Sequence, residues 1–290
     1  MADHKKIDEV TGVETTGHVW DDDLQELNNP MPKWWLYIMY ATIIWSIGYM
    51  VAYPAWPLAS DYTRGVLGYS QRQVVMDQVA AGRAAQAEFR DAIAQAELNE
   101  IQQNPELLEF ALAGGAAAFG GNCAPCHGRG AQGFKGYPNL NDDDWIWGGD
   151  LEAVHTTIRH GIRNADEDSR QSDMPKFGQE QLLEKAQIND VAEYVLSLSD
   201  AATDQEAVGR GAEIFAEQCS SCHGENGAGN AELGAPNLAN GIWLYGGDKK
   251  DVVQSIHTGR GGVMPPWHTR LDDVTLKQLT VYVHSLGGGQ

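Results

Sequence analysis

The chain has 290 residues, enough for two domains of ordinary size together with an anchor and a linker. It carries 40 Asp and Glu against 20 Lys and Arg, which gives a formal net charge of -20. This charge repels phosphate backbones, so nucleic acid is not expected as a partner and a basic protein is favoured. Simple solubility is the other explanation for the charge.

The N-terminal region predicts a membrane anchor. Residues 1–33 are polar and acidic and lack the order of basic, apolar and small residues that marks a secretory signal. Residues 34–53 form an uncharged run of 20, long enough to cross a lipid bilayer as one helix. Trp34 and Trp35 at one end and Tyr53 and Trp56 at the other fit two membrane interfaces. A single retained transmembrane helix is favoured over a buried helix or a late cleaved signal.

Residues 54–107 are predicted to link this anchor to the rest of the chain. Residues 70–103 are rich in Ala, Gln and Glu, with no Pro and one Gly, a composition that favours helix. The prediction is a helical spacer with no binding role.

An internal repeat fills the remainder of the chain. The copies span residues 108–199 and 204–290, and the first carries an additional acidic, Arg-bearing segment around residues 164–172. A helix leads into the cysteines of each copy, and residues 188–198 and 275–286 are predicted as closing helices. The leading helix of each copy carries matched Gly and Phe residues that would let it cross the closing helix of that copy tightly, near Tyr194 or Tyr282. The matched residues are Cys123, Cys126 and His127 with Cys219, Cys222 and His223; Gly115 and Phe119 with Gly211 and Phe215; Pro138 with Pro236; Trp145 with Trp243; and Met174 with Met264.

Both cysteine pairs have the Cys-x-x-Cys-His spacing of covalent heme c attachment, and the chain has no other cysteine. Two cysteines three apart on a helical turn face the same way, so both sulfurs can bond one porphyrin edge. The next residue, His127 or His223, can then bind the iron. A zinc site made of four thiolates and a redox dithiol or disulfide are the alternatives.

A sixth iron ligand has to come from the opposite face of each heme. Met174 and Met264 lie 47 and 41 residues after their histidines and are each followed by proline, which favours an extended backbone. We predict that they are the axial ligands, either of their own copy or crossed between copies. The other histidines of the repeat region do not align between the copies. Ordinary surface or core roles are therefore predicted for His155, His160, His257, His268 and His284, with a bis-His heme as the alternative.

Pro138 and Pro236 are each followed by Asn-Leu at a similar distance from the histidine. Both copies resemble class I cytochromes c in this respect. The resemblance implies that the proline carbonyl accepts a hydrogen bond from the proximal imidazole and fixes its orientation. A plain turn is the alternative. Trp145 and Trp243 are expected at the heme edge or in the core.

The segments around the anchor narrow the family. They are His18-Val-Trp-Asp21, Glu26-Leu-Asn-Asn-Pro30, Pro32-Lys-Trp-Trp35 and Ala52-Tyr-Pro-Ala-Trp-Pro-Leu58. With both copies, they resemble the diheme subunit III of cbb(3)-type cytochrome c oxidases over nearly the whole chain. One departure is the run Val19-Trp-Asp-Asp-Asp23, where a glycine is expected after the first Asp.

This resemblance implies a mainly α fold, with one N-terminal transmembrane helix followed by two tandem class I cytochrome c domains and two heme c groups. It implies electron relay from a donor cytochrome c, through a monoheme subunit, to a catalytic subunit that reduces oxygen. The chain itself would be non-catalytic, with no oxygen-reducing site. Heme attachment outside the bacterial inner membrane implies periplasmic heme domains and a cytoplasmic residue 1–33 tail. A free-standing membrane-tethered diheme shuttle is the alternative, and a diheme peroxidase is a third.

Overall fold

The computed structural model describes residues 6–21 and 24–287 and divides the chain into two compact units, Met1–Ala84 and Ala85–Gln290. The first unit begins with an antiparallel hairpin of β1 (Thr15–Trp20) and β2 (Leu24–Leu27), which the sequence analysis did not predict. Asp21, at the start of the connecting turn, has a positive φ of 47°, a conformation that aspartate tolerates better than most residues. Residues 22 and 23, where a glycine was expected, lie outside the described residues.

Helix α1 spans Lys33–Ala52 and agrees with the predicted span of residues 34–53 to within one residue. An 18-residue window of this helix has a mean hydropathy of 1.4, and none of the helix residues is buried in the protein. An apolar environment suits a helix whose apolar side chains are exposed, and about 30 Å of helix matches the hydrocarbon thickness of a bilayer. Its length and composition therefore suit a membrane span.

The predicted spacer is helical, but its last part is not a solvated connector. It forms α2 (Gln71–Ala85), α3 (Ala87–Gln95) and α4 (Leu98–Gln103). Ile93 and Ile101 are fully buried in a core cluster with residues of the repeats. The Lys277 ammonium donates to the carbonyls of Ile93, Ala94 and Ala96 at 3.2, 3.1 and 2.6 Å, which binds the end of α3 to the second copy. Helices α3 and α4 therefore belong to the folded unit of the repeats.

The repeats are helical, as predicted. The first copy contains α5 (Pro105–Asn122), α6 (Ala124–His127), α7 (Leu151–His160) and α8 (Lys185–Ser197). The second contains α9 (Gln205–Gln218), α10 (Ser220–His223), α11 (Lys249–Thr258) and α12 (Asp273–Leu286). The predicted closing helices overlap α8 and α12. Helices α7 and α11 were not predicted, although a capping Asp150 and a glycine at each C-terminus delimit them.

The two copies exchange their closing helices. Helix α5 packs against α12 of the other copy, and α9 packs against α8. A Cβ on Gly115 would collide with the Gln278 carbonyl and the Tyr282 side chain, so this close crossing requires glycine. Gly211 has the matching relation to Tyr194 and to the backbone carbonyl of Asp190. Each leading helix thus crosses the closing helix of the other copy. The predicted crossing with the closing helix of the same copy is wrong, because the matched Gly and Phe residues fit either closing helix and the packing pairs them across the copies.

Two helical groups result, and each draws on both copies. Assembly 1 consists of α5, α6, α7 and α12, and assembly 2 consists of α8, α9, α10 and α11. The aromatic pair Phe119–Tyr282, with ring centroids 5.5 Å apart, lies in assembly 1, and Tyr194–Phe215, at 4.9 Å, lies in assembly 2. Assembly 2 is contiguous in sequence, whereas assembly 1 is not. The boundaries 108–199 and 204–290 are those of the sequence repeat. That each copy is a domain of its own stays a prediction.

A buried carboxylate holds the segment between α8 and α9. Glu193 is fully buried and accepts hydrogen bonds from the backbone N–H and hydroxyl of Thr203 at 2.8 and 3.0 Å and from the Asp204 N–H at 3.2 Å. Lys249 pairs with it at 2.7 Å. Burial by itself raises the pKa of Glu193, but these partners outweigh it and lower the pKa to about 2. The carboxylate therefore stays charged and fixes the start of α9.

Replacing Gly115 with Ala should destabilise the protein, because the added methyl has no room at the crossing with α12. Overpacking of this kind costs about 1–3 kcal/mol of the free energy of unfolding. Gly120→Ala on the same helix is the control: a Cβ there meets nothing within 4 Å, so stabilisation of about 0.5–1 kcal/mol is expected. Urea denaturation followed by circular dichroism measures both. Equal effects of the two substitutions would contradict the close crossing.

Candidate functional sites

Each Cys-x-x-Cys-His motif forms one helical turn at the end of a leading helix. The His127 N–H donates to the Cys123 carbonyl at 2.9 Å, and the His223 N–H donates to the Cys219 carbonyl at 3.0 Å. A glycine with positive φ, 83° at Gly128, ends the first turn, and the same device ends the second. Residues three apart on such a turn share one side, so the observed turns agree with the sequence spacing.

The half-buried cysteines do not have the environment of redox-active thiols. No disulfide joins the four cysteines; Cys126 and Cys222 are exposed, whereas Cys123 and Cys219 are half-buried. Burial, reinforced by the neighbouring thiol, raises the pKa of Cys123 and of Cys219 to about 11. Reactive dithiols need a lowered pKa, so this environment disfavours a redox dithiol.

The two histidines are held in one tautomer by a carbonyl. Nδ1 of His127 lies 3.1 Å from the Pro138 carbonyl oxygen, and Nδ1 of His223 lies 3.0 Å from that of Pro236. A carbonyl can only accept, so Nδ1 carries the hydrogen and Nε2 keeps its lone pair. Burial lowers the pKa of both imidazoles and opposes protonation, although the bond to proline acts in the other direction. Each site therefore presents a neutral imidazole whose free nitrogen suits iron.

Glycines allow the proline turns to approach the histidines. A Cβ on Gly133 would collide with residues 137–139, and a Cβ on Gly229 would lie 2.7 Å from the Ala235 carbonyl and 2.8 Å from the Pro236 carbonyl carbon. Both glycines have positive φ, and their N–H groups donate to the carbonyls of His127 and His223 at 2.8 Å. The alternative that the prolines only form turns is too narrow, because each turn also carries the carbonyl that orients a histidine.

Each methionine packs on the core cluster that borders the cysteine motif of the other copy. Met264 and Cys123 both pack against the buried cluster that contains Phe119, whereas Met174 and Cys219 both pack against the cluster that contains Phe215. The backbone confirms the exchange: Ile162 and Met264 bond each other twice, at 3.0 Å. A Cβ on Gly161 would collide with the Met264 carbonyl, and a Cβ on Gly259 with that of Met174.

The matched tryptophans belong to the same clusters. Trp145 lies against the assembly 1 core and Trp243 against the assembly 2 core. A Cβ on Gly149 would lie 2.5 Å from the Trp145 ring, and Gly247 has the same close relation to Trp243. Each indole therefore covers a glycine that precedes α7 or α11 and packs on a core cluster, and the heme-edge position stays a prediction.

The donor set fits a c-type heme and not a shared zinc ion. The cysteine pairs belong to different assemblies, so four thiolates do not converge. Among the described residues, three or more potential metal ligands come together in one place, and that cluster contains no cysteine. Paired thiols, a histidine oriented by a carbonyl and a methionine packed on the same core cluster recur in both assemblies. Two such sites in one chain define a diheme c-type cytochrome.

Comparison with known proteins identifies the family. The chain is 57% identical over 288 residues, 99% of its length and 97% of the relative's, to the cbb3-type cytochrome c oxidase subunit FixP of Azorhizobium caulinodans. It is 53% identical over 293 residues to subunit CcoP of Azospirillum brasilense, covering 99% of each chain. The chain therefore belongs to the FixP/CcoP family of cbb3-type cytochrome c oxidase subunits.

Family models agree along the chain. The N-terminal domain of cytochrome oxidase-cbb3, FixP, matches residues 12–60. Cytochrome c matches residues 112–199, and cytochrome c oxidase, cbb3-type, subunit III matches residues 206–283. The predicted fold class, two covalent heme c groups and a role as an electron-transfer subunit of the oxidase are thereby confirmed. The chain is membrane-associated, and the other oxidase subunits are its partners. The free-standing shuttle is set aside.

Some residues of the sites could not be predicted from the sequence. The roles of Gly133 and Gly229 depend on turns that a chain pattern does not display, although their positions relative to the histidines repeat. The five unmatched histidines behave differently from one another. Nε2 of His155 is buried without a hydrogen-bond partner, whereas His160 and His268 share one carboxylate. Comparison of the two copies could not reveal the pair of His160 and His268, because neither histidine has a counterpart in the other copy.

Gly229→Ala should raise the reduction potential of the second heme. The methyl would displace the Pro236 turn and weaken its bond to His223. A less basic imidazole stabilises ferric iron less, so the ferrous state gains. Gly241→Ala is the control, since Gly241 also has a positive φ, 73°, but no atom within 4 Å of its Cβ position. Redox titration followed by heme absorption measures the potential. A shift of the same size in the control would attribute the effect to backbone strain alone.

Proposed function

We propose that this chain takes electrons from a basic donor cytochrome c and relays them, through its two hemes and a monoheme subunit, to the oxygen-reducing subunit. Each bound heme c supplies a one-electron couple. The observation that carries the proposal is that both cysteine motifs lie within one compact unit, Ala85–Gln290. Each of the two assemblies in this unit contains helices from both sequence copies. The distance between the sites is therefore set by the fold and not by a flexible linker.

Polar contacts between the copies support this fixed separation. The Lys135 ammonium bonds Asp251 at 2.6 and 2.7 Å, and the Asn240 amide donates to Asp144 at 2.7 Å. The Gly136 N–H donates to the Leu244 carbonyl at 2.7 Å. These contacts join the loop after the first motif to the second copy. Transfer between the hemes would then be intramolecular and independent of protein concentration.

For axial ligation we propose a crossed arrangement. His127 with Met264 would bind the first heme iron, and His223 with Met174 the second. The packing of each methionine on the other copy's cysteine-bearing cluster supports this arrangement over ligation within a copy. Methionine ligation raises the reduction potential, which suits a carrier close to oxygen.

Met174→Leu should then change the heme attached at Cys219 and Cys222, and Met264→Leu the heme attached at Cys123 and Cys126. Loss of the thioether ligand is expected to lower that heme's potential. Cys222→Ala removes one thioether bond and marks the second heme by a shifted absorption band, so the affected heme can be recognised. In this background, Met174→Leu should alter the marked heme and Met264→Leu the other. The reverse result would establish ligation within each copy.

The donor is proposed to dock through acidic surface. Residues 34–290 carry 32 acidic and 17 basic residues, so the field of the repeat region attracts cations. In the run 142–144, Asp142 accepts from the Asp144 N–H at 3.3 Å and Asp144 bonds Asn240. Burial raises the pKa of Asp144, against the bond from Asn240. Asp142 and Asp144 therefore shape the turn, and exposed Asp143 is the member best placed to meet a partner.

The rate of reduction by a basic donor cytochrome c should fall with ionic strength, because the screening length shrinks from about 30 Å at 0.01 M to about 10 Å at 0.1 M. Asp143→Asn should lower the low-salt rate by about twofold, with little effect at high salt. Asp91→Asn, on exposed α3 surface, is the matched control. Stopped-flow mixing measures the rates. A rate that ignores salt in all three proteins would rule out electrostatic docking.

For topology we propose periplasmic heme sites and a cytoplasmic N-terminus on a single inner-membrane span. Heme attachment outside the inner membrane supports this orientation, because the positive charges do not decide it: Lys33 flanks one end of α1, and Arg64 and Arg72 follow the other. Protease added to spheroplasts should digest the heme-bearing fragment and spare an epitope placed before residue 33. Protection of the heme-bearing fragment in intact spheroplasts would reverse the orientation.

A further inference from the structure

A cluster of two histidines and one aspartate lies at the C-terminus of α7. Nδ1 of His160 is 3.0 Å from one Asp166 oxygen, and Nε2 of His268 is 2.5 Å from the other. The three potential ligand atoms lie within 4.8 Å of one another. The side chains of His160, Asp166 and His268 are 19%, 11% and 31% exposed, so the cluster is enclosed and still reachable by a small ion.

We propose that His160, Asp166 and His268 form a binding site for a divalent first-row transition ion, of which Zn²⁺ is the expected occupant. Two neutral imidazoles and one carboxylate are the donor set that such ions prefer, and bonds of about 2.0–2.2 Å place neighbouring ligand atoms roughly 3 Å apart. The two distances from the imidazoles to the Asp166 carboxylate, 3.0 and 2.5 Å, are close to that value, and all three ligand atoms lie within 4.8 Å of one another. Asp168, whose carboxylate lies 3.9 Å from His160, can supply a fourth ligand, as can water.

The backbone holds each of the three ligands in place. His160 is the last residue of α7, and the His268 N–H donates to the Arg159 carbonyl of the same helix end at 3.3 Å. The Asp166 N–H donates to the Asn164 side chain at 2.8 Å, and the Asp166 carboxylate accepts from the Asp168 N–H at 3.0 Å. The cluster is therefore a built feature of a tight loop and not a chance meeting of surface side chains.

The second copy provides an internal comparison. Gly161 ends α7 and Gly259 ends α11 in the same way, so Thr258 takes the place of His160. The Gly178 N–H donates to the His257 carbonyl, as the His268 N–H donates to that of Arg159, so Gly178 takes the place of His268. The segment 164–172, which supplies Asp166, has no counterpart there. All three ligands thus occur on the one side where the additional segment exists.

The position of the cluster gives the ion a role. The Asn164 amide donates to the His160 and Met264 carbonyls at 2.8 Å each, and Ile162 pairs with Met264 through its backbone. An ion held by His160, Asp166 and His268 would tie α7 of the first copy to the Met264 segment of the second. Binding should therefore stabilise assembly 1. Any effect on the first heme rests on the proposed axial role of Met264, whereas ion binding does not.

The test uses tag-free, heme-loaded full chain in detergent, stripped with a chelator and then titrated with ZnCl₂ by calorimetry. We expect one ion per chain, or one zinc per two heme irons by elemental analysis, and a higher melting temperature with zinc. Asp166→Asn and His268→Gln keep hydrogen-bonding groups but remove ligands, so they should weaken binding by at least about 100-fold. His257→Gln, an exposed histidine of the second copy, should bind like the wild type.

Two results would overturn the proposal. The first is the absence of saturable zinc binding to the wild type, which would leave the cluster as a hydrogen-bonded pair of imidazoles on one carboxylate. The second is equal zinc affinity of the wild type, Asp166→Asn and His268→Gln, which would place the ion elsewhere. Because calorimetry and elemental analysis do not depend on electron transfer, failure here leaves the proposed relay function untouched.

Discussion

The close crossing of α5 with α12 at Gly115, repeated by α9 and α8 at Gly211, is the constraint on which both sites depend. Only glycine permits it, since any Cβ would meet the backbone of the partner helix. Once α12 lies on α5, the segment before it, which carries Met264, is brought to the first cysteine motif. The same contact between α9 and α8 brings Met174 to the second motif. One pair of helix contacts thus determines which methionine packs on which cysteine-bearing cluster.

Within each site, a carbonyl performs the finer adjustment. The proline turn fixes the hydrogen of the imidazole on Nδ1, and burial keeps the ring neutral. Both effects leave Nε2 without a proton, so its lone pair can bind iron. The turn can reach the ring only because a glycine beneath it has no side chain. The chain thereby prepares a ligand of defined direction from two residues, a proline and a glycine, that carry no metal-binding atom themselves.

Local and repeated features could be predicted from the sequence, whereas long-range pairing could not. The span of α1 followed from an uncharged run, and the cysteine turns followed from spacing that repeats with both histidines and both methionines. The exchange of α8 and α12 escaped prediction because Tyr194 and Tyr282 are equivalent in the pattern, and only three-dimensional packing distinguishes them. The spacer was misjudged beyond residue 86, since burial of Ile93 and Ile101 depends on surfaces that other helices supply.

The split of assembly 1 along the chain has a consequence for biogenesis. Assembly 2 is contiguous from α8 to α11, so all its helices exist before α12 is made. Assembly 1 joins α5 to the last helix, α12, so most of the repeat region lies in the loop between them. Closing such a long loop costs chain entropy, so this contact is expected to form late in folding. A chain synthesised from its N-terminus presents Cys123 and Cys126 first but completes their surroundings last. The first heme therefore meets an open motif, and loss of the C-terminal helix would damage the earlier of the two heme sites while sparing the later one.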